Sequence, residues 1–185
     1  MPSLDIYFLQ RLQEPYQNYP VFVETGTNEG VTVFCVEPFF EKIYTIELSP
    51  YFHQLASSRY QGNKIQFIQG DSSVELASLL PSVRQNTIFF LDGHYSSGIT
   101  AKGEKDCPLI EEITHINDLF EPAAIIIIDD YRLFGKCPKT GYNEDWSQIT
   151  KSEIIRILAS RMTHVYHLDS EFAKDDRLIL HIQAK

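Results

Sequence analysis

The sequence predicts an α/β domain built on a doubly wound, mostly parallel sheet of seven strands that closes with an antiparallel C-terminal hairpin. Three observations predict it. Short β-branched or aromatic runs alternate with longer amphipathic stretches, most of those runs give way to Gly, Asp or Ser, and two of them are too apolar to alternate, as strands covered on both faces are. The chain has 185 residues, which suits one core, so residues 1–185 are read as a single domain with residues 1–18 as a helical lead-in.

Taken in order, Tyr19-Pro20 precedes the first run, Val21-Phe22-Val23-Glu24, which passes through Thr25-Gly26-Thr27-Asn28-Glu29-Gly30 into a helical stretch from about Val31 to Phe40. The second run, Lys42 to Glu47, is followed by Leu48-Ser49-Pro50, where Ser49 can cap a helix that has Pro50 at its first position. The third, Ile65 to Gln69, runs into Gly70-Asp71-Ser72-Ser73 and another helix. The fourth, Thr87 to Asp92, and the fifth, Ala124 to Asp129, are the apolar pair and are placed at the centre of the sheet. After a helix near Ile149 to Ser160, the runs Thr163 to Leu168 and Arg177 to Ile182 flank a polar turn, which predicts the closing hairpin.

Composition narrows the function. Hydrophobic residues at 43% and charged residues at 22% are ordinary globular values. With 16 Lys and Arg against 25 Asp and Glu the net charge is −9, and the longest basic feature is Arg156 with Arg161, so a nucleic-acid backbone is a poor partner. No run approaches the roughly 18 apolar residues of a membrane helix, and Met1-Pro2-Ser3-Leu4-Asp5 lacks the basic start and apolar middle of a signal peptide, so the protein is read as cytoplasmic. Cys35, Cys107 and Cys137 are odd in number and form no C-x-x-C, which reads as free buried thiols.

The turn after the first run is the first candidate site. A ligand there meets free backbone N–H groups and the positive end of a helix. The spacing Gly26-x-x-x-Gly30, with Asn28 where a middle glycine would fall, departs from the dinucleotide fingerprint and speaks against a nicotinamide oxidoreductase. Glu47, at the end of the second run, can accept hydrogen bonds from both hydroxyls of a ribose, and Gly70-Asp71 offers a polar point suited to the adenine edge. One acid at each of these strand ends points to an adenosine-containing ligand in the crevice beside them.

On these residues the chain resembles the class I S-adenosylmethionine-dependent methyltransferases over nearly its whole length, and Glu24-Thr25-Gly26 looks like their first motif. The resemblance implies a Rossmann-like fold in which Glu24, Thr25, Gly26, Thr27 and Gly30 surround the methionine moiety. It further implies that Glu47, with Leu48 and Ser49, holds the ribose, that Asp71 and Ser72 lie by the adenine, and that Asp92 closes the cofactor site.

The fourth and fifth runs both end in aspartate, at Asp92 and at Asp129 followed by Asp130. Adjacent strands lie about 4.8 Å apart, so these carboxylates either raise a pKa or take a cation, and clustered oxygens suit magnesium or calcium. The same arrangement is similar to the macrocin-type sugar O-methyltransferases, which implies Asp92, Asp129 and Asp130 as ligands of a divalent cation, magnesium above all. That subgroup commonly carries an aspartate as base where this chain has His94. A histidine with an unperturbed pKa near 6.5 can take the proton of an acceptor hydroxyl, so His94 is the candidate catalytic residue. Alternatively His94 only hydrogen-bonds its loop, and the aspartates cap helices or pair with Lys102, Lys105 or Arg132.

The expected function is methyl transfer from S-adenosylmethionine to a hydroxyl of a small molecule, and the alternative is a domain that binds the same ligand and transfers nothing. The hydroxyl- and glycine-rich stretch from His94 to Asp106 reads as a substrate-side lid, and Tyr142 and Trp146 as substrate contacts or loop anchors. His164 and His167, three apart on a strand, face opposite sides and are given no role, and His115 reads as a surface contact beside Glu111. So few residues precede the first strand that a second copy of the chain is a possible means of completing the pocket.

Overall fold

In the computed structural model, which describes residues 3–94 and 105–185, the sheet has seven strands in the order β3-β2-β1-β4-β5-β7-β6. They are β1 Val21–Thr25, β2 Lys42–Glu47, β3 Ile65–Gln69, β4 Thr87–Leu91, β5 Ala124–Ile128, β6 Met162–Leu168 and β7 Arg177–Ile182. The pairs β1–β2, β2–β3, β1–β4 and β4–β5 are parallel, while β7 runs antiparallel between β5 and β6. The seven runs of the sequence are the seven strands, and the closing hairpin is present.

Side chains alternate across the pleat, so each central strand feeds two cores. Val21, Val23, Ile126, Ile128, Leu178 and Leu180 face one side, beneath helices α4 Ser72–Leu79, α5 Leu109–Leu119 and α6 Lys151–Leu158. Phe22, Ile125, Ile127 and Ile179 face the other, beneath α2 Val31–Val36 and the lead-in, which supplies Leu4, Phe8, Leu9 and Leu12. Every residue of β1, β4, β5 and β7 is buried, which is why β4 and β5 read as unbroken apolar runs.

The helix starts obey local chemistry. Helix α3, Pro50–Arg59, has Ser49 as its cap, accepting from the Phe52 N–H, with Pro50 at the first position. Two stretches are less helical than the sequence predicts. After α2 the chain tightens into a 3-10 turn, Glu37–Phe39, because Pro38 has no N–H to continue the helix. The lead-in contains only the single-turn helix α1, Ile6–Leu9, followed by a 3-10 turn at Tyr16–Asn18 that begins after Pro15. Among the described residues no helix is long and apolar enough to cross a membrane.

The two arginines that formed the longest basic feature do different work. Arg156 pairs with Glu153 on the surface of α6. Arg161 is buried, and its guanidinium donates to the carbonyls of Phe120 and Pro122, each at 2.7 Å, and of Gln183 at 3.0 Å, with longer bonds to Ile116, Asn117 and Glu121. It therefore satisfies the open C-terminal end of α5 and ties it to the chain beyond β7. Arg161→Ala strips those carbonyls of their donor and is expected to lower the unfolding free energy by roughly 3 kcal/mol, read as a lower urea midpoint at an unchanged slope.

Candidate active site

The strand order reverses between β1 and β4, and the loops that leave these two strands diverge to open a crevice at their carboxyl ends. Gly26 sits in that seam with φ +85°, and a Cβ built there would lie 2.4 Å from the Asp92 carbonyl oxygen. No other residue type fits the contact. Asn28 also takes the left-handed region, at φ +48°, which asparagine tolerates, so its departure from glycine does not break the turn. Gly30, at φ +79°, caps the start of α2.

Behind this loop lies a chain of buried polar groups. The Glu47 carboxylate accepts the Asn28 N–H at 2.7 Å and the Ser49 N–H at 2.8 Å, so it clamps the β1–α2 and β2–α3 loops together. Thr27 and Thr45 share a hydroxyl contact at 2.5 Å, and Thr45 donates to Glu24 at 2.6 Å. Among the described residues Glu24 forms no ion pair. Burial, helped by the negative charge of Glu47 and opposed by the Thr45 hydroxyl, pushes its pKa up to about 8.

A cavity of about 280 Å³ opens onto this chain, lined by Glu24, Gly26, Thr27, Asn28 and Asp92 among others. Ser3 and Thr32 also line it, and the Ser3 N–H donates to the Thr32 hydroxyl at 3.1 Å. Of the residues expected to hold a cofactor, Glu24, Gly26, Thr27 and Asp92 therefore face one cavity, while Glu47, Ser49 and Gly30 shape it from behind. Thr25 is fully buried, with its hydroxyl against Gly93. The Leu48 carbonyl accepts from the Gln69 side chain, and Asp71 accepts the Ser73 N–H and hydroxyl as the cap of α4, with Ser72 buried beside it. Neither Ser3 nor Thr32 carries a motif, and their place depends on the lead-in folding back over α2.

On the β4–β5 side of the crevice the expected acids meet cations of the chain itself. His94 lies between two of them, with Nε2 3.0 Å from Asp130 and Nδ1 3.5 Å from Asp92. Arg132 pairs with both Asp130 and Asp176, and the Arg177 Nε donates to Asp129 at 3.2 Å. Arg177 in turn rests over the Phe8 ring of the lead-in, 4.8 Å from its centroid. Trp146 meets the His94 ring edge to face at 4.8 Å and is itself buried, with its indole N–H unpartnered among the described residues. The Arg132 pairing was one of the alternatives left open by the sequence, whereas Arg177 and Asp176 were missed, because β7, which Asp176 immediately precedes, enters the sheet out of sequence order.

These pairings divide the three aspartates expected to share a cation. The described residues offer two groups of close donor atoms here, Asp92 with His94 and Asp130, and Asp129 with Asp130 and Asp176. Asp92 and Asp129 do not share one, and Asp129, Asp130 and Asp176 each carry an arginine. Such a set does not fit magnesium, which asks for near-octahedral oxygen ligands free to bind it. The guanidinium groups supply the positive charge that the spacing of the acids demands. The rest of the expected lid, residues 95–104, lies outside the described residues.

The charges set the protonation states. Burial raises Asp92 well above the usual carboxylate range, with Asp129, Asp130 and Glu24 adding to the effect and His94 opposing it. Burial also opposes the charged form of His94, but the Asp130 hydrogen bond and the surrounding carboxylates outweigh it and raise its pKa. Asp130 stays below its ordinary value against the cost of burial, because His94 and Arg132 both hold it ionised. The arrangement is an imidazole oriented by a carboxylate at Nε2, with its Nδ1 edge toward the cavity acid Asp92.

The strand order with β7 reversed is that of the Rossmann-like methyltransferase fold. The chain is similar to the O-methyltransferase TomG of Streptomyces achromogenes, which acts in tomaymycin synthesis and was solved with S-adenosylmethionine: TM-score 0.62, 17% identity, covering 91% of this chain and 75% of that one. It is also similar to the N-methyltransferase NodS of Bradyrhizobium japonicum bound to S-adenosylhomocysteine, with a TM-score of 0.56, 13% identity, and 97% and 88% covered. A third is the magnesium protoporphyrin IX methyltransferase of Synechocystis, with a TM-score of 0.58, 14% identity, and 91% and 75% covered. No protein-family profile and no curated protein sequence matches the chain. Identities this low carry the fold, and the mixture of O- and N-methyltransferases assigns no acceptor atom.

Asp130→Asn removes the carboxylate that holds His94 protonated. The imidazole is expected to titrate at lower pH in that variant than in the parent protein, followed by the ring C–H resonances in NMR, and an unchanged titration would show that the pair does not form in solution.

Proposed function

We propose that the protein is an S-adenosylmethionine-dependent methyltransferase that methylates a hydroxyl of a small molecule. The observation that carries this reading is the cavity at the β1–β4 switch point, which has the buried acid Glu24 on its wall and the His94–Asp130 pair beside it. A carboxyl with no cationic partner among the described residues is suited to a ligand that brings positive charge, as the ammonium end and sulfonium of S-adenosylmethionine do. Gly26 allows that ligand to approach the backbone. Glu47, held by two backbone N–H groups at one lone pair each, keeps acceptor capacity for ribose hydroxyls.

S-adenosylmethionine supplies an activated methyl group, which the acceptor oxygen displaces in line from sulfur, leaving S-adenosylhomocysteine. The chain's own part is to align the two reactants and to take the proton. His94 receives the hydroxyl proton at Nδ1, Asp130 orients the ring through Nε2, and Trp146 holds the ring edge to face, restricting its rotation. Arg132 and Arg177 balance the acids around the resulting imidazolium.

Calorimetry with S-adenosylhomocysteine and with NAD tests the ligand, and the first alone is expected to bind. If neither binds, the glycine turn is structural and the reading fails. Since the free Glu24 carboxyl ionises near pH 8, and a cationic ligand favours its ionised form, binding of S-adenosylmethionine should release protons. The affinity should therefore rise with pH from about 6 and level off above about 8, a dependence that Glu24→Gln flattens.

Turnover tests the chemistry. His94→Asn is expected to slow methyl transfer by roughly 10²–10⁴-fold while leaving ligand binding intact. As the base works unprotonated and its pKa is raised, the rate should climb with pH on the alkaline side of the ordinary histidine value. A variant that binds the ligand as the parent does, alongside a parent that transfers nothing to any hydroxyl acceptor, would favour the binding-domain alternative. Chelation should leave transfer unaffected, and a magnesium requirement would instead restore the cation role of Asp92, Asp129 and Asp130.

A further inference from the structure

The β6–β7 hairpin brings two histidines together at the opposite end of the sheet from the crevice. His164 on β6 is the register partner of His181 on β7, and His181 in turn lies opposite Ile125, near the start of β5. Directly paired residues project from the same face, and the two rings are 5.2 Å apart at 62°. The lead-in lays a third group over them, with Glu14 Oε1 3.1 Å from His181 Nδ1. One donor atom from each of Glu14, His164 and His181 lies within 4.8 Å of the other two.

We propose that Glu14, His164 and His181 form a three-ligand site for a zinc-class divalent ion, open to water at the fourth position, that pins the lead-in to the β6–β7 hairpin. Two imidazoles and one carboxylate are a donor set that suits zinc rather than magnesium or calcium. Zinc bonds of about 2.0–2.1 Å in a tetrahedron place neighbouring donor atoms about 3.3 Å apart, and Glu14 and His181 already stand near that distance. His164 is exposed, which gives the ion a path in and lets that ring adjust.

The far atoms of two ligands are fixed in the manner of outer-shell partners. Tyr19 donates its hydroxyl to Glu14 Oε2 at 2.6 Å, which leaves Oε1 toward the histidines. The Tyr166 hydroxyl lies 3.1 Å from His181 Nε2 and accepts the Gln13 N–H at 3.0 Å. The Tyr166 hydroxyl can donate to a bare Nε2 while Nδ1 carries the proton, and accept the Nε2 proton once an ion takes the Nδ1 lone pair, so it supports the ion-bound tautomer as well. Without an ion, a proton on Nδ1 bridges to Glu14, and it is this proton that the ion replaces.

The test uses the full chain, stripped with a chelator and titrated with zinc chloride by calorimetry, with cobalt as the spectroscopic probe. One zinc per chain is expected, with the visible absorption of four-coordinate cobalt at the same stoichiometry. His164→Ala, an exposed position whose variant should keep the far-ultraviolet dichroism of the parent, and Glu14→Gln should each weaken binding at least about tenfold, and Tyr166→Phe by roughly tenfold. His94→Asn, which disrupts the other histidine-containing group, should leave it unchanged. Zinc should also slow cleavage of the lead-in by trypsin at Arg11 in the parent and not in His164→Ala. Absence of zinc binding in the parent overturns the proposal, as does binding that His164→Ala leaves unaltered.

Discussion

Two parallel strands that part company at a switch point must still let their outgoing loops touch, and in this protein the touch is made by Gly26 against the Asp92 carbonyl. The rest of the crevice is arranged around that contact. It sets how near the β1–α2 loop comes to β4, and so places Glu24, Thr27 and Asn28 on one wall of the cavity and Asp92 on another. Glu47 holds the same loop from behind by accepting two backbone N–H groups from two different loops. A carboxylate in that position serves as a splint between the two loops.

The far side of the crevice is governed by charge. Four carboxylates, Asp92, Asp129, Asp130 and Asp176, gather in two groups that meet at Asp130, and like charges held this close are untenable unless compensated. Compensation comes from Arg132, which follows the acids on the same loop, and from Arg177, which arrives on β7. Because Arg177 also rests on Phe8, the N-terminal lead-in is mechanically linked to the acid end of β5. A single imidazole, His94, connects this cluster to the cavity.

The seven strands were legible because each is a compact run whose period or unbroken apolarity reports how it is covered. The Ser49 helix start was legible because caps are local, whereas Asp71, read from the sequence as a contact to adenine, caps α4. Helix α2 falls short of its predicted length for a reason equally local, Pro38. What the sequence withheld was pairing at long range. That Asp129 would face Arg177 follows only from β7 inserting between β5 and β6, and the facing of His164 by His181 follows from the same insertion. The carboxylate spacing correctly signalled a need for positive charge and left its source open. Ser3 and Thr32 carry no motif, and only the return of the lead-in over α2 brings them together.

The pairing of β1 with β2 on one edge and β4 on the other has a consequence for the order in which the molecule is made. As the chain emerges from the ribosome, β1, β2 and β3 can associate early, since their connections are short and loop closure between them is cheap. The other edge of β1 then stays bare until Thr87–Leu91 has been synthesised, and β6 has no partner until β7 follows it. The edge of β1 thus stays open from residue 25 to residue 91, about a third of the synthesis, whereas β6 waits only for the short turn to β7, and the seam that forms the crevice is sealed near the midpoint of the chain. Chaperone engagement would be concentrated in that interval, on the open edge of β1.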